Sequence, residues 1–538
     1  MSRLAWLADR LSRRQIARET SAHLNVLAGA RVLASERAAR ALLAELRGDP
    51  GPKVSLGETT WGQPIIVPLE EVVKACGIMT GGMGAGKTMA ACLTLEALIE
   101  RFPSLRSMAF GLVDPKGEAF DRALYLLGAR LERLEERARE ELLRRIVVID
   151  FSSREAVSSY NILARWPSAE PDFFVTSRLE TLKELLPSGE KLSLRGAEVL
   201  KHALSLLSEF SLPLTYLNRL LESEPLRLKL LAQSKDPEAK LYFGRHYGQE
   251  GKQTIAALRA RIDSLLASEG VRLALAGSTA PDFRRLQNEG KIVLVNIAGP
   301  AITRGVRLLL QGLVLSDIRQ AIFARPNNPP VTYLWVADEA QNFFRTRQQQ
   351  EDVTDICTMG RSFGSFFCFL CQNISTAVPD TRFLEILHTN MRWSLTLRGT
   401  PRDAQFLRAA LPVTGRKTRP DPHPFRERAF YSPEEERSLA LEGIAHLPDR
   451  VGYLWFKARS AEAIKIRTRS LELPEGEAFR EAVEALREEP RLGGRLSRQD
   501  YERLIEERDR EWLTPREEPD LQACLEKRYR EEQSAWQT

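Results

Sequence analysis

With 538 residues, 43% hydrophobic and 28% charged, the chain is long enough for more than one domain and has an ordinary globular composition. Its net charge of +6 is unevenly placed: residues 471–538 hold 12 Lys and Arg against 19 Asp and Glu, and the first 470 hold 66 against 53. Such a basic body suits a polyanionic partner such as nucleic acid; six cysteines at no framework spacing exclude a disulfide scaffold, and no segment approaches the ~18 apolar residues of a membrane span, so the expected location is the cytoplasm.

Residues 1–50 read as a charged helical extension, with Leu4, Leu7 and Leu11 on one face and Arg3, Arg10, Arg13 and Arg14 around it. This face packs on the body or serves a partner or membrane surface. After a Gly/Pro break at 48–52, residues 54–71 predict two short strands. The apolar run 75–79 then predicts a strand, and 89–99 a helix. Residues 108–113 form the next expected strand, ending in Asp-Pro-Lys-Gly-Glu (114–118), and a charged helical stretch (121–145) leads to a strand at 146–149. Strands alternating with helices of this length indicate a parallel sheet with its ligand site at the strand C-termini. Between 164 and 289 the pattern is helical, with Leu258, Ile262, Leu265 and Leu266 as one apolar stripe. Strands resume at 291–297, 333–337, 366–371, 393–397 and 453–457, interrupted by a helix at 304–323. Cys368 and Cys371 read as part of a buried strand rather than a metal site. Beyond Leu473 the chain is charged and helical with no sheet signal. The predicted organisation is therefore an extension (1–50), a first α/β half (51–163), an all-α insertion (164–289), a second α/β half (290–472) and a charged helical tail (473–538).

The segment Gly81-Gly82-Met83-Gly84-Ala85-Gly86-Lys87-Thr88 satisfies the P-loop pattern at every fixed position. A phosphate chain needs many N–H donors at close range, and glycine lets bare backbone wrap it. Lys87 supplies a positive charge to the β- and γ-phosphates, Thr88 a hydroxyl to Mg²⁺, and Met89 opens the following helix. Strand 333–337 ends in Asp338-Glu339, where Asp338 would hold Mg²⁺ through water and Glu339 would orient or deprotonate the attacking water. Gln372 ends a buried strand, where a polar side chain needs a partner; the γ-phosphate or its water is one. Arg361, Arg392 and Arg398 are rival cations for charge developing in phosphoryl transfer. Arg416, Lys417 and Arg419 make a basic loop open to two readings, a phosphate-backbone contact or a solvated surface.

In this order, the P-loop, Asp114–Glu118, Ile149-Asp150-Phe151 followed by Tyr160-Asn161-Ile162-Leu163, a helical insertion, residues 290–297, Ala337-Asp338-Glu339-Ala340-Gln341 and Gly360–Gly364 followed by Gln372 resemble the type IV secretion coupling proteins. These are conjugative DNA-transfer ATPases of the HerA/FtsK superfamily, and the resemblance spans about residues 54–468. It implies an α/β fold, a RecA-like P-loop ATPase with a mainly parallel sheet and an all-α insertion. It also implies a ring, often hexameric, that hydrolyses ATP with Mg²⁺ at subunit boundaries and moves DNA through its centre. On that resemblance Lys87 and Thr88, Asp338 and Glu339, and Gln372 take the P-loop, metal and water, and γ-phosphate-sensing roles, while Arg361 matches the arginine acting on a neighbour. The chain departs from the pattern in two places: it offers a charged amphipathic segment where membrane-anchored relatives carry spanning helices, and Ile162 stands where the family has proline. A soluble relative, or one leaning on a membrane or secretion-complex partner through its N-terminal helix or C-terminal tail, is implied. Two other readings are the same motor pumping protein or serving a defence or secretion complex, and an ATP-gated scaffold with negligible turnover.

Overall fold

The computed structural model describes residues 36–165, 170–185, 192–249, 251–378, 380–413 and 430–513. The N-terminal leucine face and the basic loop of Arg416, Lys417 and Arg419 lie outside them. In chain order the strands are β1 (Lys53–Thr59), β2 (Pro64–Pro68), β3 (Gly77–Thr80), β4 (Met108–Asp114), β5 (Ile146–Asp150), β6 (Ala156–Val157), β7 (Ile292–Asn296), β8 (Thr332–Ala337), β9 (Ser365–Cys371), β10 (Trp393–Leu397), β11 (Val451–Phe456), β12 (Ile464–Thr468) and β13 (Leu496–Ser497). The chain divides into two compact units, one of residues 1–97 and 367–472, the other of residues 98–366 and 473–538.

In the first unit the strand order is β2-β1-β12-β11-β10-β3-β9. β3 runs parallel to β9 and β10, while β10-β11, β11-β12, β12-β1 and β1-β2 are antiparallel. The expected parallel arrangement thus surrounds the P-loop strand, and an antiparallel meander forms the rest. Every residue of β3, β9 and β10 is buried, as expected of strands covered on both faces. Cys368 and Cys371 are among them, in the predicted strand. Gly77 pairs with Trp393 in register, and a Cβ at Gly77 would sit 2.0 Å from that indole ring.

The second unit contains β8-β4-β7-β5, all parallel. It repeats the same device, with Gly111 opposite Trp335 and a built Cβ 2.2 Å from the ring. The stretch expected as one crossover helix is two, Glu118–Glu132 and Glu136–Arg145, separated at Arg133–Glu135. Residues between 171 and 288 form helices and no strand among those described. The Tyr-Asn step anchors them. Tyr160 is fully buried and donates to Asp317 Oδ2 at 2.5 Å, and Asn161 donates to the Ser211 carbonyl at 2.8 Å. Arg178, 2% exposed, also pairs with Asp317 and donates from Nε to the Ile162 carbonyl at 2.8 Å. Burial pushes the Tyr160 hydroxyl well above its ordinary range.

The C-terminal region differs from the sequence-based expectation. Helices Glu477–Arg487 and Arg498–Leu513 are present, but between them β13 pairs antiparallel with β6, and Gly493 bonds along β5: Val148 N donates to Gly493 O and Gly493 N to Ile146 O, each at 3.0 Å. These contacts are made by backbone. Leu496 and Ser497 are exposed, so no alternation of apolar side chains announces the strand.

Candidate nucleotide-hydrolysis site

The first unit carries the phosphate loop. β3 ends at Thr80, and the helix Lys87–Ile99 begins at the P-loop lysine, so the loop is the strand-to-helix turn the motif requires. Gly84 and Gly86 have φ of +73° and +101°, values that a side chain opposes. Lys87 is 5% exposed; its ammonium donates to the Gly81 and Gly82 carbonyls at 2.8 and 2.9 Å. Met83 is 82% exposed at the loop's tip.

Two strand ends hold this loop. Cys371, last in β9, accepts from Gly81 N at 3.3 Å, which puts the following residue, Gln372, beside the start of the loop. Arg398, directly after β10, accepts from Gly82 N at 2.6 Å. On the far side Arg450 N donates to Ala85 O at 3.0 Å, and a Cβ at Gly86 would lie 2.9 Å from Arg450 Cγ. The Arg450 side chain bonds to Ser470. Sequence reasoning missed Arg450 altogether, because it lies more than 360 residues from the loop and in no motif. It singled out Arg398 only as a rival trans arginine.

In the second unit four parallel strands end in polar residues at one level. Asp114 is in register with Asn296, and Asn296 with Asp150; Asp338 follows Ala337, whose partner is Val113. Asp338 is 2% exposed and its N–H donates to Val113 O at 3.0 Å. Burial, and then the nearby Asp114 carboxylate, push its pKa up to about 6. Asp114 is itself raised by burial although its oxygens accept from Lys116 N at 2.8 Å and Phe120 N at 2.9 Å. Glu339 adopts the left-handed conformation at φ +50°, with its N–H donating to Asp338 Oδ1 at 2.8 Å. Its carboxylate pairs with Lys116 and accepts from Gln341. Lys116 belongs to the strand-end motif 114–118, which the sequence marks without assigning the lysine a task.

The structure therefore places Gly81–Met89 and Gln372 together in the first unit, and Asp338 and Glu339 together in the second. Arg361, also in the second unit, lies in the turn after helix Arg347–Met359, is exposed, and among the described residues its guanidinium has no partner. Arg392 is exposed at the start of β10, where its N–H donates to Cys76 O at 2.9 Å.

A phosphate loop on a buried parallel strand, with an acidic pair ending another, defines a RecA-like P-loop ATPase fold. No family model matches the chain, and no curated protein does. Among solved structures, the chain is similar to the bacterial conjugative coupling protein TrwBdeltaN70 in its unbound monoclinic form, 15% identical at a TM-score of 0.50 over 80% of this chain and 92% of that one. The plasmid coupling protein TrwB in complex with the non-hydrolysable GTP analogue GDPNP matches at 14% identity and 0.50, with the same coverage. VirB4 of Thermoanaerobacter pseudethanolicus matches at 16% and 0.50, over 79% of this chain and 98% of that one. At such identity what is shared is the fold.

Proposed function

We propose that the chain is an ATP-hydrolysing motor that assembles as a ring, hexameric by resemblance, and moves DNA without reading its sequence. The observation that carries this reading is a complete phosphate loop, with Lys87 buried against it, in a chain that also presents Asp338-Glu339 at a parallel strand end. The similarity of fold to a conjugative coupling protein and to VirB4 supports the cargo.

The residues suit ATP and Mg²⁺. Glycines at positive φ leave a cradle of bare backbone for phosphates, and Thr88 and Asp338 offer the hard oxygen ligands that Mg²⁺ takes. Asp338 beside Asp114 is a pair of buried like charges, which a cation relieves. When bound, Mg²⁺ held by Thr88 and Asp338 would supply charge neutralisation to the phosphates. The backbone of Gly81–Met89 holds the phosphates, and Lys87 turns from the Gly81 and Gly82 carbonyls toward them. Glu339 orients the attacking water and takes its proton, Gln372 reads the γ-phosphate, and Arg361, exposed and unpaired among the described residues, is offered to a neighbouring subunit. The domain reading that goes with this treats 51–163 and 290–472 as ATPase halves and 164–289 as an inserted helical module.

No helix among the described residues is long and apolar enough to cross a membrane. We assign the motor to the cytoplasm, brought to a secretion complex by a partner. ATP turnover with and without duplex and single-stranded DNA, measured beside native mass, tests the whole reading. DNA-stimulated turnover in a ring is expected. Turnover stimulated by a partner protein but not by DNA would replace the cargo, and negligible turnover would leave only a nucleotide-gated scaffold.

A further inference from the structure

We propose that Arg398 is a second cation for the triphosphate, supplied by the same chain as the P-loop, and that Asp449 occupies its guanidinium until nucleotide arrives. This rests on the nucleotide-binding reading of Gly81–Thr88.

β3 and β10 run parallel and in register up to the pair Thr80 and Thr396, so the segments leaving them start side by side at one end of the sheet. They stay in contact: Gly82 N donates to Arg398 O at 2.6 Å, and a Cβ on Gly81 would approach that same oxygen to 3.2 Å. A Cβ on Gly399 would come within 3.4 Å of Gly81 Cα. The phosphate loop and the Arg398 backbone are pressed together, which fixes the root of the Arg398 side chain whatever its head contacts.

The head reaches the loop's tip. Arg398 Nη2 lies 3.9 Å from the point where Gly84 would carry a Cβ. Among the described residues its ion-pair partner is Asp449, at 2.8 Å, with side chains 38% and 61% exposed. Asp449 is placed as firmly, because the next residue, Arg450, donates its N–H to Ala85 O. A carboxylate one residue from a backbone bond to the phosphate loop would repel the ligand unless neutralised. Here it is neutralised by a group whose planar fork fits carboxylate and phosphate alike. Exposed ion pairs of this kind hold weakly, whereas a triphosphate brings several negative charges. Asp449 is thus a stand-in anion, and binding is an exchange of one anion for another on Arg398.

The opposed signs of the two partners make the exchange testable in the full-length protein, by anisotropy of a fluorescent ATP analogue at fixed low ionic strength. Arg398→Gln should weaken binding about tenfold, with Arg398→Lys between it and wild type. Asp449→Asn should tighten binding severalfold, because it removes the competing anion. A merely structural ion pair predicts the same direction for both losses, so weaker binding in Asp449→Asn overturns the proposal, as does Arg398→Gln binding within twofold of wild type. The backbone contact at Gly82 survives both substitutions, and a melting curve of each variant without ligand identifies misfolded protein, for which Arg398→Lys and Asp449→Asn keep the test alive. Lys87→Ala separates the two readings. Loss of binding there with no change in Arg398→Gln sinks only the role of Arg398, and a wild-type protein that binds no nucleotide sinks the P-loop reading itself.

Discussion

The two units each carry a charged candidate residue, of opposite sign, and each holds its own in a different way. In the first, the Lys87 ammonium donates to two neutral carbonyls, Gly81 and Gly82. In the second, the Glu339 carboxylate is held by a full charge, Lys116, with Gln341 added. A cation resting on backbone dipoles is redirected to phosphate at little cost, because phosphate is the stronger acceptor. An acid in an ion pair must first lose a charged partner. Under the proposed function, binding would be the ready step and hydrolysis the guarded one.

The largest effects break that comparison at its two charges. Glu339→Gln should lower turnover by about 10²–10⁴-fold while nucleotide affinity is kept, and Lys87→Ala should abolish binding. Steady-state rates beside equilibrium binding check both, and equal losses of affinity in the two variants would erase the distinction. Next in size is Asp317→Ala, which strands the buried Arg178 and should cost about 3–5 kcal/mol in denaturant unfolding. Gly77→Ala and Gly111→Ala probe a feature the units share. Each forces a methyl into a tryptophan ring and should destabilise by about 1–3 kcal/mol; a marked difference between the two would show that one unit relaxes where the other does not.

The smallest effect is on pH dependence, where the units have opposite signs. His388, in the first, is held at about 3 by burial and by the charge of Lys457, below its ordinary 6.5. The fold keeps it neutral, so its stabilisation is full above about pH 6.5 and is lost as pH falls toward about 3. Asp352, in the second, is pushed up to about 6 by burial, against the pull of Arg319. Its folded form favours the proton, so that contribution is full below about pH 3.8 and lost as pH rises through about 6. Unfolding midpoints across pH 3–8 should show a flatter acid limb for His388→Leu, and for Asp352→Asn a flatter slope between about 4 and 6.

What was legible followed from local pattern. Gly81–Thr88 announces its loop through glycine spacing, and buried parallel strands announce themselves as apolar runs ending in Asp114, Asp150 and Asp338. Gln372 stands out as a candidate because a polar residue closing a buried strand demands a reason, and the structure sets it just after Cys371, whose carbonyl accepts from Gly81 N. Arg450 and the cis placement of Arg398 were not legible, since both arise where strands far apart in sequence end beside the loop. Lys116 stood in a visible motif, but its partner Glu339 lies more than 220 residues away. Tyr160-Asn161 was visible as part of a family pattern from which Ile162 departs; its work as the buried anchor to Asp317 and Ser211 was not, because those partners lie 157 and 50 residues further along the chain.

The bonding of Gly493 along β5 has a consequence for how the chain is made. β5 ends its row of strands, and an unpaired strand edge is a template for another chain. The segment that hems it is synthesised about 340 residues later, so at ribosomal speeds the edge stands open for roughly 20–70 s. During that interval the nascent protein depends on other cover for β5, and the hem at Gly493 is among the last seams to close.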